Sequence, residues 1–452
     1  MKKRISSVVA VILTVCLAGC GQAGGTAGEA GKTDVKLTSY EAKSAKPVAS
    51  GMEMEAFAMS DKYRDWRDKY WDKLDASLAV QSEMDDFYSG IMQNILVSDD
   101  ENTVCSPLNI YMACSMLAEV SDGETRQQVL DVLGVKDTES LRQRIGILWE
   151  ADNVDTPLIK SNLADSFWLN GAFKYNTSTL KNLSEYYYAS SYTGDPASDE
   201  MNNALRKWLD DNTGGLLKDY TSDVSLNPET VMALASTLYY KASWADEFYK
   251  DATDKQTFHG TKGDTQVDMM HRSDSMSIYD TDKFSCVELN LVDSGAMWVF
   301  LPNEGVDVNE LPSDKDVLGV IRGNESIKSD YTMVNVSLPR FKVSAKTDLN
   351  GTLAAMGIKD AFVPGVADFS PITANPSDAK DLEICLTKAE HAAVVEADED
   401  GVVGAAYTVM MMDAGMAMME EERDFTVDRP YMFVVTGGDN SILFSGVVRN
   451  ME

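Results

Sequence analysis

Histidine is nearly absent: His259, His271 and His391 are the whole supply in 452 residues. Three scattered imidazoles leave little material for a zinc centre or a histidine-based catalytic triad, which sets aside most hydrolases. Positive charge is also short. Forty Lys and Arg stand against 72 Asp and Glu, a formal charge of −32, which excludes nucleic acid and disfavours other polyanions as partners. No apolar run reaches the length of a membrane-spanning helix. With 44% apolar and 25% charged residues, the composition is that of an ordinary soluble globular chain. Of the six cysteines, Cys105, Cys114, Cys286 and Cys385 have wide, irregular spacing, imply no disulfide framework and read as buried thiols.

What is present begins with an address. Lys2, Lys3 and Arg4 precede an apolar run from Val8 to Leu17 that ends in Leu17-Ala18-Gly19-Cys20. This resembles a bacterial lipoprotein signal: a basic start, a short apolar stretch, and small residues before a cysteine that fit a signal peptidase. Residues 1–19 are then removed and Cys20 carries the lipid, so that two acyl chains anchor the protein stably. Removal takes away three basic residues and no acidic one, moving the charge from −32 to −35. An anionic membrane would hold so acidic a domain outward. The expected location is the extracellular side of the cell membrane, or the periplasm or outer membrane if the cell envelope is Gram-negative.

Residues 20–60 read as a flexible tether, with a random-coil reach on the order of 35 Å. In 61–75, Tyr63, Trp66, Tyr70, Trp71 and Leu74 recur near helical spacing and predict a helical lead-in packed on the main domain. From 76 to 452 nothing interrupts the pattern, leaving about 375 residues for one compact unit. Helical patterns at Met112–Leu117 and Thr125–Leu133 come early. Strand patterns at Val231–Tyr240, Ala296–Leu301, Val334–Val343, Ala392–Glu396, Met432–Thr436 and Leu443–Val448 come later. Helices first and strands later predict an α+β fold with mainly antiparallel or mixed sheets.

Several separated strings resemble the serpin family. They include Asn102-Thr103-Val104-Cys105-Ser106-Pro107-Leu108-Asn109-Ile110, Leu238-Tyr239-Tyr240-Lys241-Ala242-Ser243-Trp244 and Leu338-Pro339-Arg340-Phe341-Lys342. Near the end come Glu399-Asp400-Gly401 with Ala405-Ala406, Phe425-Thr426-Val427-Asp428-Arg429-Pro430-Tyr431, and Phe444-Ser445-Gly446-Val447-Val448. Their order and spacing carry the resemblance over nearly everything after residue 85. It implies a large central β-sheet with additional sheets, helices packed around it, and a long exposed reactive-centre loop, here about residues 399–424. It further implies a suicide substrate: a serine protease cleaves the loop, forms a covalent acyl complex, and is trapped when the loop inserts into the sheet. On this reading the protein is not an enzyme, works as a monomer, takes no cofactor or metal, and needs no heparin-type activator.

The loop meets the demands of insertion. Residues 401–412 hold no proline and no charge, flanked by acidic residues on both sides, and either a proline or a charge would be costly inside a sheet. On alternation, Val402, Gly404, Ala406, Thr408, Met410 and Met412 share the inward face; Tyr407 is expected to point outward to solvent. The resemblance makes Glu399, Gly401, Val402, Gly404, Ala405, Ala406 and Thr408 the hinge. Gly401 permits backbone angles that other residues resist. The spacing that the resemblance implies, counted from Glu399, puts the reactive bond at Gly415-Met416, while the same resemblance counted back from Pro430 moves it toward Met418 or Met419. None of these is basic, so elastase-, subtilisin- or chymotrypsin-like proteases fit better than trypsin-like ones. The resemblance also places Ser106, Ser236 and His391 in a polar cluster beneath the opening of the sheet, with Ser236 where the family carries asparagine, and Trp244 at its top.

Two rivals remain. A serpin-fold binding protein that does not inhibit would share all of this except a working hinge. A Ser-x-x-Lys hydrolase could use Ser178-Thr179-Leu180-Lys181 or Ser377-Asp378-Ala379-Lys380, though the accompanying motifs are missing.

Overall fold

The computed structural model describes residues 9–19, 36–37, 47–293, 295–402 and 422–451. In chain order the strands are β1 (Val9–Gly19), β2 (Lys36–Leu37), β3 (Thr103–Cys105), β4 (Val154–Asp155), β5 (Ile159–Asn170) and β6 (Ser190–Gly194). Next come β7 (Thr230–Ser243), β8 (Asp254–Gly260), β9 (Gly263–Asp280), β10 (Phe284–Asn290), β11 (Ala296–Pro302) and β12 (Ser329–Pro339). The last are β13 (Phe341–Asp348), β14 (Ile384–Ala397), β15 (Gly401–Val402), β16 (Glu422–Thr426), β17 (Tyr431–Thr436) and β18 (Ile442–Val448). One mixed sheet runs β13-β14-β1-β7-β5-β6-β2, with β15 also on β7 and β4 on β5. A second runs β16-β12-β9-β10-β11-β17-β18-β3, with β8 on β9.

Among the described residues, the helices of the first half are α1 (Met54–Ala58), α2 (Asp61–Gln81), α3 (Asp85–Ile95), α4 (Pro107–Val120), α5 (Gly123–Val132), α6 (Thr138–Asp152), α7 (Thr177–Tyr186), α8 (Asp199–Asn212) and α9 (Lys218–Thr221). Helix α4 is buried along its whole length and lies behind the first sheet. It starts where it does because Ser106 accepts a hydrogen bond from the Asn109 N–H and Pro107 occupies the first turn, where its missing N–H is not needed.

Strand β7 is buried on both faces, which makes it read as a nearly continuous apolar run. Met232, Leu234, Leu238, Tyr240 and Ala242 enter the main core. Ala233 and Ala235 face the other way and, with Ala392 and Val394 of β14, lie under Met201, Leu205 and Leu209 of α8 and Leu217. Those three α8 residues recur every four positions, a narrow stripe laid across the outer face of the sheet.

The α+β expectation holds, with corrections. Val334–Val343 is two strands, β12 and β13, divided at Arg340. Strand β5 lies in the middle of the first sheet, ahead of most strand patterns in the sequence. Polar residues at Lys160, Ser161, Asn162, Asp165 and Ser166 masked it. The tether is folded in part: Lys36–Leu37 pairs with Tyr192–Thr193, the Val48 N–H donates to the Asp155 carbonyl, and Phe57 of α1 is fully buried. The lead-in extends to Gln81, with Tyr70 and Leu74 buried as expected, Trp66 stacked on Tyr70, and Trp71 instead 52% exposed.

Candidate functional site

At the top of the first sheet the chain leaves β14, turns, and re-enters. Asp398 bridges Gly401, and Gly401 and Val402 then pair antiparallel with Ser243 and Ala242 of β7. Val402 is fully buried. Gly401 has φ +141°, and a Cβ there would lie 2.6 Å from the Ser243 Cα, so no other residue fits without strain. The sequence marks this glycine for flexibility; the structure adds that it is needed for close approach.

The turn is clamped. The Trp244 indole N–H donates to the Asp398 carbonyl at 2.8 Å, and the ring is buried edge-on against Phe248. Glu399 is 6% exposed; Thr253 donates to its carboxylate at 2.8 Å and Arg340 forms an ion pair with it. Burial pushes the Glu399 carboxyl up, but the hydrogen bonds from Arg340 and Thr253 outweigh it and hold the group below the usual range. Lys250 pairs with Asp400. Arg340 sits in one of the serpin-like strings without its role being legible, and Thr253 and Lys250 carried no signal, because all three meet the hinge only through the fold.

The polar cluster lies midway down the sheet, behind it. The Ser106 backbone N–H, not its hydroxyl, donates to His391 Nε2 at 3.0 Å; the hydroxyl is committed to capping α4. Ser236 is reached from α4: Asn109 Nδ2 donates to its hydroxyl at 2.7 Å. Ser236 also bonds Asp165 of β5, its cross-strand neighbour. Asn109 and Asp165 are additions to the expected set. Burial lowers His391 to about 3, so it is neutral, and raises Asp165 to about 7 against the opposing bond from Ser236. Among the described residues, His391 Nδ1, Asn109 Oδ1 and Asp165 Oδ2 are buried and meet no hydrogen-bond partner.

Strand β1 lies between β7 and β14. Leu13 stands opposite both Ser236 and His391. The outer face here is not solvent but the layer of α8 and α9, with Tyr220, Val224 and Thr14 lining a small cleft over His391. Tyr407, expected to point outward, lies outside the described residues.

Gly404, Ala405, Ala406, Thr408, Gly415, Met416, Met418, Met419 and Cys20 lie outside the described residues. His259 is exposed beside Asp264, and His271 is partly buried between Ser337 and Asp254. Cys105, Cys114, Cys286 and Cys385 are buried and in no disulfide. Ser178 and Ser377 are exposed first-turn positions whose N–H groups are capped by Asn176 and Asn375. Lys181 is paired with Glu185. Neither serine has the buried, activated setting a nucleophile requires.

The first sheet is thus a large mixed sheet whose strand β14 turns into the short Gly401–Val402 pair on β7, with a histidine-centred polar cluster behind it. The serpin (serine protease inhibitor) family model matches residues 82–451, and the chain belongs to that family. It is 27% identical to a serpin-like protein of Methanosarcina acetivorans over 391 residues, covering 81% of this chain and 86% of that one. It is 28% identical to the human leukocyte elastase inhibitor over 356 residues, covering 76% and 92%. The thermophilic serpin tengpin in its native state superposes with a TM-score of 0.71 at 20% identity, covering 93% of this chain and all of that one. An Arabidopsis serpin in its native stressed conformation gives 0.67 at 24%, covering 84% and 98%. Human thyroxine-binding globulin also gives 0.67, at 20% and covering 83% and 99%, so the fold by itself does not decide between inhibition and ligand carriage.

Proposed function

We propose that this serpin is an inhibitor of serine proteases that acts as a suicide substrate, held at the cell surface through lipid on Cys20. The observation that carries the reading is the hinge. Val402 is already seated against Ala242, in the register that a longer insertion must continue. Carried on at one residue per pair, that register sets Gly404 opposite Tyr240 and Thr408 opposite Ser236. The Asp398–Gly401 turn, carried on in the same way, sets Thr408 opposite His391. The Thr408 hydroxyl would thus arrive beside a buried imidazole nitrogen that lacks a partner among the described residues. No residue from 401 to 412 is charged or proline.

A protease would attack the loop near Gly415-Met416, or nearer Met418 or Met419, and form its acyl-enzyme. The severed segment would then enter the sheet with ladder bonds at roughly 0.5–1.5 kcal/mol each, a gain on the order of 10 kcal/mol. That rivals the whole stability of an ordinary domain, so the intact form is kinetically trapped. The apolar, uncharged residues around the bond support an elastase-, subtilisin- or chymotrypsin-like target.

The test is incubation of the processed chain with elastase and with subtilisin, followed by denaturing electrophoresis and mass spectrometry. An SDS-resistant complex and one released C-terminal fragment are expected. Clean cleavage with no complex would favour a binding protein that does not inhibit.

A further inference from the structure

The segment that the sequence marks for removal is not loose. Strand β1 pairs with β14 from Ala10↔Val394 to Gly19↔Ile384 and with β7 from Val9↔Tyr240 to Ala18↔Thr230. The hinge projects onto the same partners. Extending Gly401↔Ser243 and Val402↔Ala242 puts residue 404 opposite Tyr240, where Val9 lies. Extending Asp398↔Gly401 puts residue 405 opposite Val394, where Ala10 lies. On this projection the leader and the severed loop would run in one direction and one register into one site, and could not be there together. Val9–Gly19 and residues 401–412 are alike free of charge and proline.

We propose that the uncleaved leader is an internal plug: Val9–Gly19 fills the insertion site of the unprocessed chain, which is therefore unable to trap a protease until residues 1–19 leave. The proposal rests on the inhibitory reading above. The occupant fits less well than the loop should. The Thr14 hydroxyl is buried with no partner among the described residues, and the pairing slips at Cys16/Leu17 on one side and Leu17/Ala18 on the other. Leu13, an aliphatic residue, holds the position opposite His391 that the register assigns to Thr408. A plug of this kind would keep unexported protein inert toward the producing cell's own serine proteases.

The register supplies its own probe. Cys16 is the Cα partner of Ala233 on one side and of Lys388 on the other. Antiparallel partners lie about 4.5–5.5 Å apart, within disulfide reach. The full chain is made with Cys20→Ala to keep the leader attached, and Ala233→Cys or Lys388→Cys is added. Mild oxidation and peptide mapping should show a link from Cys16 to position 233 or to position 388, and none to position 232 in a Met232→Cys control. The full chain should form at least tenfold less SDS-resistant elastase complex than a chain starting at residue 21. Leu13→Asp in the full chain should restore complex formation by expelling the leader. Absence of both links, or equal complex formation with and without the leader, overturns the plug. A leader that links while the shortened chain still forms no complex overturns the inhibitory reading instead.

Discussion

Single side chains set the two behaviours of the sheet. At the hinge, Val402→Glu would place a charge in a fully buried position beside Ala242. The expected outcome is a chain that elastase still cleaves but that no longer holds the enzyme, read as the ratio of complex to cleaved chain; unchanged trapping would count against insertion. In the polar cluster the pH response can be assigned by sign. Asp165 has a folded pKa of about 7 against an unfolded value near 3.9, so its contribution is present below about pH 4 and is lost as pH rises to about 7. His391 has a folded value of about 3 against roughly 6.5 unfolded, so its contribution is present above about pH 6.5 and is lost as pH falls. Asp165→Asn is therefore expected to stabilise the protein at pH 8, on the order of 2–4 kcal/mol, with the gain vanishing by pH 4. Urea melts across that range check it. His391, Ser236 and Ser106 were legible in the sequence through the strings around them. Asn109 and Asp165 were not, because a buried amide and a buried acid are indistinguishable in sequence from solvated ones until the fold closes over them.

Among elements, α2 shows how a short pattern can understate its partner. Tyr63, Trp66, Tyr70 and Leu74 announced an apolar face, but the far end of the helix carries the polar attachment. Gln81 Nε2 donates to Asp439 Oδ2 at 2.9 Å and to the Ser441 hydroxyl at 2.8 Å, and the Ser77 hydroxyl donates to the same carboxylate. Ser441 in turn donates to Asp152, whose carboxyl is pushed well up by burial and then by the neighbouring Asp439 charge. Removing Gln81 and Ser77 takes two donors from the buried Asp439 carboxylate. Gln81→Ala is expected to lower stability by about 1–3 kcal/mol, and a chain beginning at residue 82 by more, measured as thermal midpoints. Strands betrayed themselves where both faces are apolar, as in β7, β11, β17 and β18. They hid where one face carries the polar interior, as in β5.

For the whole molecule the decisive quantity is the difference between the intact and severed forms. If cleavage releases on the order of 10 kcal/mol, the severed processed chain should melt at least about 10 °C above the intact one. Equal midpoints by calorimetry would mean that no such reserve exists. The family and the α+β architecture could be inferred from ordered strings spread over the chain, since each string sits at a junction the fold cannot do without. The order of strands in the first sheet could not, because the segment next to His391 comes from the opposite end of the sequence.

The two-residue pairing of Lys36–Leu37 with Tyr192–Thr193 has a mechanical consequence. A pull applied from Cys20 would reach the body at the outermost strand of the first sheet, with β6, β5 and β7 standing between it and the insertion site. So short a ladder would unzip first, lengthening the leash by the residues up to Val48 before any stress arrived at the moving parts. If Cys20 is anchored and the chain traps an enzyme as proposed, recoil against that surface would be absorbed at the rim, leaving the centre of the sheet undisturbed.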